Sequence, residues 1–318
     1  MFASFSSKIL LFGEYSIVAG GKALAIPYSK YQGHFAFANE NLKQEESIKQ
    51  SHEVLEKLHF YIKNLAQEKK LLCNFDSKKM AIDLANDLYF HSNIPQGYGL
   101  GSSGALIAAL YEHYVKDKII LTTNENTNNS SLKCMKLKQI FAQIENFFHG
   151  QSSGTDPLIC YLNKAIILEG KKSIKIIETP HFEAKTNTYF LLLNTHKARQ
   201  TSPLVNWFLE QMKQEDYKKM CEQKLVQLNE NCIQAFFNKD GDFLFKNMKE
   251  LSALQLQYFR KMIPDFLLEK WQDGLKSENY FLKICGAGGG GFMLSITKNL
   301  AQINKTFKAE NLQVLFHF

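Results

Sequence analysis

A stretch of alternating glycines contains the first residues with an obvious chemical use. Residues 95–111, PQGYGLGSSGALIAALY, place four glycines and two serines in eight positions and then continue as an apolar run. Glycine amides unhindered by Cβ atoms, together with the positive end of a helix dipole, form a binding site for anions such as phosphate. A serine at the start of such a helix can cap it or bind a metal ion. The stretch therefore predicts either an anion site or a glycine turn followed by a serine cap.

Two familiar nucleotide-binding patterns fit this stretch poorly. Gly99, Gly101 and Gly104 match GxGxxG, but that dinucleotide fingerprint needs a preceding strand, and the polar segment around Pro95 argues against a central strand. The P-loop pattern GxxxxGK[ST] is absent because no lysine follows the glycines. We therefore expect neither a Rossmann nor a Walker-type site.

Residues 143–158, QIENFFHGQSSGTDPL, form a second stretch rich in reactive side chains. Glu145 and His149, four residues apart on a predicted helix, could face a metal such as zinc, but two ligands make a poor zinc site. Residues 150–154 satisfy GxSxG, the nucleophile elbow of hydrolases, which needs a strand before the serine and a helix after it. A helical pattern precedes this motif and Pro157 follows it closely, so we do not expect a hydrolase.

The composition is that of a folded protein with a mild positive charge. The 318 residues are 45% hydrophobic, and 38 Lys and Arg against 31 Asp and Glu give a net charge of +7. The basic residues are scattered without arginine-rich clusters, which suits acidic small molecules better than nucleic acid. No apolar run reaches the ~18 residues that cross a bilayer, so we expect no membrane segment and a cytoplasmic location. The six cysteines form no CxxC pair and are expected to be reduced thiols.

Hydrophobic patterning predicts an α+β protein in two domains. Short apolar runs predict strands at 8–12, 23–28, 33–38, 164–169, 174–178, 188–194, 280–285 and 292–297. Helical spacing of apolar residues predicts helices within 40–70, at about 103–116 and 132–148, and almost throughout 202–277. The polar tract TTNENTNNSSLK, residues 122–133, is expected to be an exposed loop. Because the first part is strand-rich and the second helix-rich, we expect domains at 1–185 and 186–318.

Three segments together resemble the signature motifs of the GHMP kinases, the superfamily of galactokinase, homoserine kinase, mevalonate kinase and phosphomevalonate kinase. They are SKILLFGEYSIVAGGKALAIP (7–27), PQGYGLGSSGA (95–105) and KICGAGGGGFML (283–294). The middle motif keeps the family form PxGxGLGSSA until Gly104 replaces the alanine. The resemblance implies a ribosomal protein S5 domain 2-like amino-terminal domain and a ferredoxin-like, helix-rich carboxy-terminal domain. It also implies an ATP-binding loop made of Pro95, Gly97, Tyr98, Gly99, Leu100, Gly101, Ser102, Ser103 and Gly104.

Within this family, the second reactive stretch resembles the mevalonate kinase segment ExxxHGxPSGxD, with Ser152 in place of proline. Phosphoryl transfer needs a carboxylate that holds Mg²⁺ and, in many kinases, another that accepts the hydroxyl proton. By this resemblance Asp156 is the catalytic base, and Lys8 assists it because a neighbouring ammonium favours the ionised carboxylate. Glu145 and Ser103 would hold the magnesium ion.

The acceptor that the resemblance implies is mevalonate, phosphorylated on its 5-hydroxyl by ATP. Residues 191–205, LLLNTHKARQTSPLV, are similar to the mevalonate kinase segment DTxxxRxTxxLV, although Asn194 replaces the aspartate. Tyr15 is commoner in phosphomevalonate kinases, so phosphomevalonate or another alcohol remains an alternative. These departures from the family pattern, with that at Ser152, also leave open a catalytically degenerate kinase-fold protein that only binds ligands. The substrate-side residues implied by the family are Glu14, Tyr15, His149, Arg199, Thr201, Ala287 and Gly288. We expect a monomer or homodimer with no nucleic-acid or membrane partner.

Overall fold

The structure is a computed structural model that describes residues 2–39, 45–122, 126–170, 173–198 and 202–318. The strands are β1 (Phe5–Phe12), β2 (Lys22–Phe37), β3 (Leu88–Ser92), β4 (Ala165–Glu169), β5 (Ser173–Ile177), β6 (Tyr189–Asn194), β7 (Tyr280–Ile284), β8 (Phe292–Thr297) and β9 (Leu312–His317). The helices are α1 (Glu46–Gln67), α2 (Ser77–Ala85), α3 (Ser102–Tyr114), α4 (Thr127–His149), α5 (Thr155–Leu162), α6 (Ser202–Gln211), α7 (Glu215–Met220), α8 (Val226–Phe237), α9 (Gly241–Tyr258), α10 (Leu268–Ser277) and α11 (Leu300–Phe307). Among the described residues, none of the helices combines the length and apolar character needed to cross a membrane.

Two antiparallel sheets organise these elements. The first has the strand order β1-β2-β4-β5, with β3 also paired to β2. Helices α3 and α5 pack against each other and against β1 and β2, which brings their first turns to one side of this sheet. The second sheet has the order β7-β8-β6-β9, and α9 and α10 pack on β7. The α+β prediction is confirmed.

The predicted domain division at 185 and 186 falls between β5 and β6, the last strand of one sheet and an inner strand of the other. It stays a prediction. The six cysteine thiols are free, as expected, with five of them buried and Cys73 half-buried.

Strand β2 corrects the prediction of two separate strands at 23–28 and 33–38. It is one strand of 16 residues that pairs with β1 over residues 24–28 and 32–33, with β3 over 33–37 and with β4 over 22–25. Its middle, residues 29–32, is polar and largely exposed, so no apolar alternation marks it as strand. The pairing with β1 is also irregular there, because its register shifts from Gln32 opposite Ser6 to Tyr28 opposite Ser7.

The other differences between the predicted and the observed elements occur mainly in polar and proline-containing segments. Residues 122–133 are not a loop throughout, because the Asn126 side chain accepts a hydrogen bond from the N–H of Asn129 (2.8 Å) and α4 starts at Thr127. Pro157 does not prevent a helix after residue 154: it lies in the first turn of α5, where a missing N–H leaves no intrahelical bond unmade. The hydrolase elbow still lacks its strand, since α4 precedes the motif. Strands β3 and β9 were not predicted.

Candidate active site

The glycine-rich loop turns into α3 without a serine cap. Gly97, Gly99 and Gly101 adopt φ of 76°, 76° and 78°, the left-handed region that glycine enters without a Cβ penalty. Gly101 precedes the helix, no side chain caps it, and its C=O accepts the first intrahelical hydrogen bond (2.9 Å). Ser102 and Ser103 therefore lie within the first turn, where backbone amides precede the helix's own hydrogen bonds. This arrangement favours the anion site over the serine cap.

Lys8 reaches this loop from the adjacent strand β1. Its backbone N–H donates to the C=O of Leu100 (3.0 Å), which fixes the strand beside the loop. A Cβ on Gly101 would lie 3.1 Å from Cγ of Lys8, so the glycine leaves room for the lysine stem. The Nζ of Lys8 lies 2.9 Å from Oδ2 of Asp156, and 7% of the lysine side chain is exposed against 38% of the aspartate. A nearly buried ammonium thus meets a carboxylate that solutes can still reach.

Gly104 explains how Asp156 comes so close to α3. A Cβ at Gly104 would lie 2.9 Å from the carbonyl carbon of Asp156 and 2.9 Å from the backbone N of Pro157. These are main-chain atoms of the first turn of α5, and they cannot move aside as the end of a flexible side chain would. The glycine, where the resembled motif has alanine, lets the start of α5 lie directly against α3.

We expect Gly104→Ala to lower the stability of the protein, against the usual preference for alanine in helices. Alanine gains ~0.5–1 kcal/mol of helix propensity over glycine. Overpacking a closed contact costs ~1–3 kcal/mol, and here the new methyl group meets backbone atoms at 2.9 Å. Thermal unfolding of wild type and Gly104→Ala decides between these two effects, because they change the melting temperature in opposite directions. A lower melting temperature supports the close contact, and an equal or higher one contradicts it.

Glu145 lies on α4 with both carboxylate oxygens hydrogen-bonded. The Ser103 hydroxyl donates to Oε1 (2.9 Å), and the Ser152 hydroxyl donates to Oε2. Only 4% of Glu145 is exposed. Burial and then the charge of Asp156 raise the pKa of Glu145 to about 7, while the two hydroxyls and Lys8 oppose this rise. A bound cation would stabilise the ionised form of this carboxylate.

His149 lies beside the oxygen atoms that could bind a metal ion. The Nε2 of His149 lies 3.2 Å from Oγ of Ser103, so the exposed ring borders the Glu145 carboxylate. Over the part of the chain that the structure describes, no three His, Cys, Asp or Glu side chains cluster as a metal site. The oxygens of Ser103 and Glu145 instead suit Mg²⁺, which commonly takes one or two protein carboxylates and completes its shell with phosphate oxygens and water.

A buried ion pair joins the end of β1 to the second sheet. Oε2 of Glu14 lies 2.5 Å from Nζ of Lys283 on β7, with 2% and 1% of the two side chains exposed. Oε1 of Glu14 also accepts from the N–H of Gly286 (3.3 Å). Burial raises the pKa of Glu14, and the charge of Lys283 opposes the rise. Because the buried ammonium of Lys283 already balances its charge, this geometry favours a structural role for Glu14 over the expected contact with substrate.

Tyr15 makes a second connection between the same two parts. Its hydroxyl donates to the C=O of Ala287 (2.7 Å), and its ring packs on Phe208 and Phe259 at centroid distances of 4.6 and 5.6 Å. Tyr15 is buried and has φ of 62°. The family resemblance placed both Tyr15 and Ala287 beside the substrate, and the structure places them in contact with each other.

The glycine run 286–291 presses against three other segments at positions where a Cβ would not fit. The glycines, their partners and the distances from an added Cβ to the partner carbonyl oxygen are Gly288 and Met262 (2.6 Å), Gly290 and Lys197 (2.5 Å), and Gly291 and Tyr98 (2.7 Å). Tyr98 belongs to the glycine-rich loop before α3. The run is therefore main chain packed on main chain, and it lies directly beside the predicted anion site.

The segment that was expected to hold the acceptor leads onto this run. The Thr195 hydroxyl donates to the C=O of Gly291 (2.7 Å), and the Asn194 side chain accepts from the N–H of His196 (2.9 Å). Asn194, where the family has aspartate, thus stabilises a turn. Arg199 and Thr201 lie outside the described residues.

Sequence reasoning missed two side chains in these clusters. Lys283 is the only charged residue in the strand YFLKI, whose five residues are all buried, and a charge in such a strand was a usable signal. Ser152 was noted as a departure from the family pattern, but nothing local indicated that its hydroxyl would reach Glu145.

Comparison with known proteins finds a similarity to one family over part of the chain. Residues 61–164, which include the glycine-rich loop, Glu145 and Asp156, match the model of the GHMP kinases N terminal domain. A curated relative, the mevalonate kinase of Dictyostelium discoideum, is 22% identical over 242 residues. That match covers 70% of this chain and 60% of the relative, so the chain spans less than two thirds of it.

Solved structures share the fold over almost the whole chain. L. major mevalonate kinase in complex with R-mevalonate superposes with a TM-score of 0.59 at 16% identity, covering 98% of this chain and 94% of that one. Lactococcus lactis galactokinase complexed with galactose gives a TM-score of 0.62 at 14% identity, covering 98% and 92%. The two-domain α+β architecture expected from the motifs is therefore confirmed, and the two solved structures contain different ligands, R-mevalonate and galactose.

Proposed function

We propose that the chain is a kinase of the GHMP superfamily, whose N-terminal domain model matches residues 61–164, and that it transfers the γ-phosphoryl group of ATP to the 5-hydroxyl of mevalonate. The observation that carries this proposal is the pairing of Lys8 with Asp156 at 2.9 Å, beside the start of α3. A base and a cation held at an anion-binding helix end are what alcohol phosphorylation requires.

Four side chains and the glycine-rich loop each have a task in the proposed reaction. Asp156 accepts the proton of the acceptor hydroxyl. The hydroxyl oxygen bonds to the γ-phosphorus, and the bond from this phosphorus to the oxygen of the departing ADP breaks. Lys8 balances the charge of Asp156 and of the transferring phosphoryl group. The amides at the start of α3 and the glycine-rich loop bind the phosphates. Glu145 and Ser103 would hold Mg²⁺, which neutralises charge on the β- and γ-phosphates.

Mevalonate is favoured over other acceptors by two segments. The HGQSSGTD sequence that carries Asp156 and the KARQT sequence after Asn194 both resemble mevalonate kinases. Phosphomevalonate is the second candidate, because Tyr15 has the identity common in phosphomevalonate kinases. The departures at Tyr15, Ser152 and Asn194 keep a ligand-binding protein without activity as the alternative of another class.

A coupled assay of ADP release separates these candidates. The purified protein receives ATP and Mg²⁺ with mevalonate, phosphomevalonate, galactose or homoserine, and a reaction without acceptor serves as the control. We expect mevalonate to give the largest stimulation of ADP release over that control. Stronger stimulation by another acceptor would transfer the assignment to it, and no stimulation by any of them would favour the inactive binding protein.

The remaining predictions stand as part of this proposal. They are the domain division at 1–185 and 186–318, a monomeric or homodimeric state, and a cytoplasmic protein without a nucleic-acid partner.

A further inference from the structure

Ser152 contacts Glu145 in a way that the resembled motif cannot provide. Proline at this position has no hydroxyl, whereas the Ser152 hydroxyl donates a hydrogen bond to Oε2 of Glu145. The other oxygen, Oε1, receives the hydroxyl of Ser103. One buried carboxylate is therefore held by two serines, one on each oxygen.

Ser152 is itself fixed by its surroundings. Its backbone N–H donates to Oδ1 of Asn146 on α4 (2.6 Å), and its Oγ accepts from the N–H of Gly154 (3.0 Å). Gly154 is the residue before α5, and a Cβ there would lie 2.0 Å from the C=O oxygen of Lys138, so this turn is pressed onto α4. The hydroxyl is consequently held at the junction of the helix that carries Glu145 and the helix that carries Asp156.

We propose that Ser152 is a positioning residue for the metal site, whose hydroxyl fixes the Glu145 carboxylate so that Glu145 and Ser103 together receive the divalent cation of a nucleoside triphosphate. The inference rests on the proposed function, because the cation is the one that accompanies the phosphoryl donor. It adds to that function a residue in which this chain differs from the motif it resembles.

The physical reason is the freedom of a glutamate carboxylate. The last torsion of a glutamate side chain is broad, so a carboxylate held through one oxygen can still turn about it. A hydrogen bond to each oxygen removes that freedom before the cation arrives. Groups that orient a metal ligand in this way typically change metal affinity by about 10- to 100-fold when they are removed.

Calorimetric titration with the non-hydrolysable ATP analogue AMPPNP tests this role without relying on turnover. Each protein is titrated once with saturating Mg²⁺ and once with excess EDTA, and the ratio of the two Kd values gives the metal-dependent gain in affinity. The proteins are wild type, Ser152→Ala, Ser152→Thr, Ser152→Val and Glu145→Gln. Threonine and valine have the same shape and differ in the hydroxyl, so this pair decides the question if the alanine variant folds poorly.

We expect Ser152→Ala and Ser152→Val to reduce the metal-dependent gain by about 10-fold, with affinity in EDTA unchanged and with Ser152→Thr close to wild type. Glu145→Gln should lose most of the gain. A gain within twofold of wild type in both hydroxyl-free variants would overturn the role of Ser152 and leave the proposed function intact. A wild-type protein that binds AMPPNP equally with and without Mg²⁺ would overturn the metal site and the inference together.

Discussion

Replacing Asp156 with asparagine should lower kcat by about 10²-fold or more while leaving the affinity for ATP nearly unchanged. Asparagine keeps the shape of the side chain but cannot take the hydroxyl proton, and it removes the negative charge 2.9 Å from Lys8. Steady-state kinetics with the preferred acceptor give kcat, and equilibrium titration with AMPPNP gives the nucleotide affinity. A fall in kcat with unchanged nucleotide affinity indicates the loss of a base, whereas a fall in both indicates the loss of the binding site.

Asp216→Asn is the matched control for this substitution. Asp216 occupies the second position of α7, as Asp156 does in α5, and its side chain is exposed. Both changes remove a negative charge from the first turn of a helix, so both lose the same small helix-dipole stabilisation. Asp216→Asn should therefore retain wild-type kcat. If Asp156→Asn also retained kcat within tenfold, Asp156 would not be the base.

Replacing Lys283 with methionine should cost about 3–5 kcal/mol of the free energy of unfolding near pH 8. Methionine fills the space of the lysine stem but leaves the Glu14 carboxylate buried without its partner. Gly286 N–H, at 3.3 Å, remains as a weaker donor. The loss is measured from urea unfolding of wild type and variant, with the second sheet and the first followed by separate fluorescence or hydrogen-exchange signals.

The pH dependence of this variant has a definite sign. Burial raises the pKa of Glu14, and without Lys283 only the hydrogen bonds from the backbone N–H groups of Glu14 and Gly286 oppose that rise. Between the unfolded and the folded pKa of Glu14, the folded variant binds a proton that the unfolded chain has released, so the stability of the variant falls as pH rises through this window and is recovered below it. The double variant Glu14→Gln with Lys283→Met removes both charges and should be more stable than the single variant at pH 8. If the double variant were no more stable, an uncompensated charge would not be the cause.

The candidate site shows what local sequence signals can and cannot predict. A loop of alternating glycines before an apolar run is visible in the sequence because the required backbone angles restrict the residue type. The convergence of Lys8, Ser103, Glu145 and Asp156 is not visible locally, since β1, α3, α4 and α5 each supply one residue. It followed from the resemblance to a family, and the structure brings all four together. The hydroxyl of Ser152 also contacts one of these residues, Glu145, yet no pattern in the sequence indicates this contact.

The fold was predictable where the burial of side chains follows a simple period and not where polar residues continue a strand or begin a helix. Amphipathic α1 and the apolar cores of β6, β7 and β8 were predicted from their patterns. The polar middle of β2 was missed because its residues are largely exposed and lie at a shift in the register with β1. The start of α4 was missed because asparagine and serine are equally typical of loops and of helix caps.

The glycine run 286–291 presents main chain to its neighbours, and this determines where specificity can change. Backbone amides and carbonyls keep the same polarity whatever side chains surround them, so the backbone surface that the run presents beside the glycine-rich loop is chemically constant. A Cβ at Gly288, Gly290 or Gly291 would collide with another backbone, which makes substitution there costly. For the proposed kinase, a preference for a new acceptor would therefore have to arise from changes in the side chains that contact the glycine run, because the run itself tolerates little substitution.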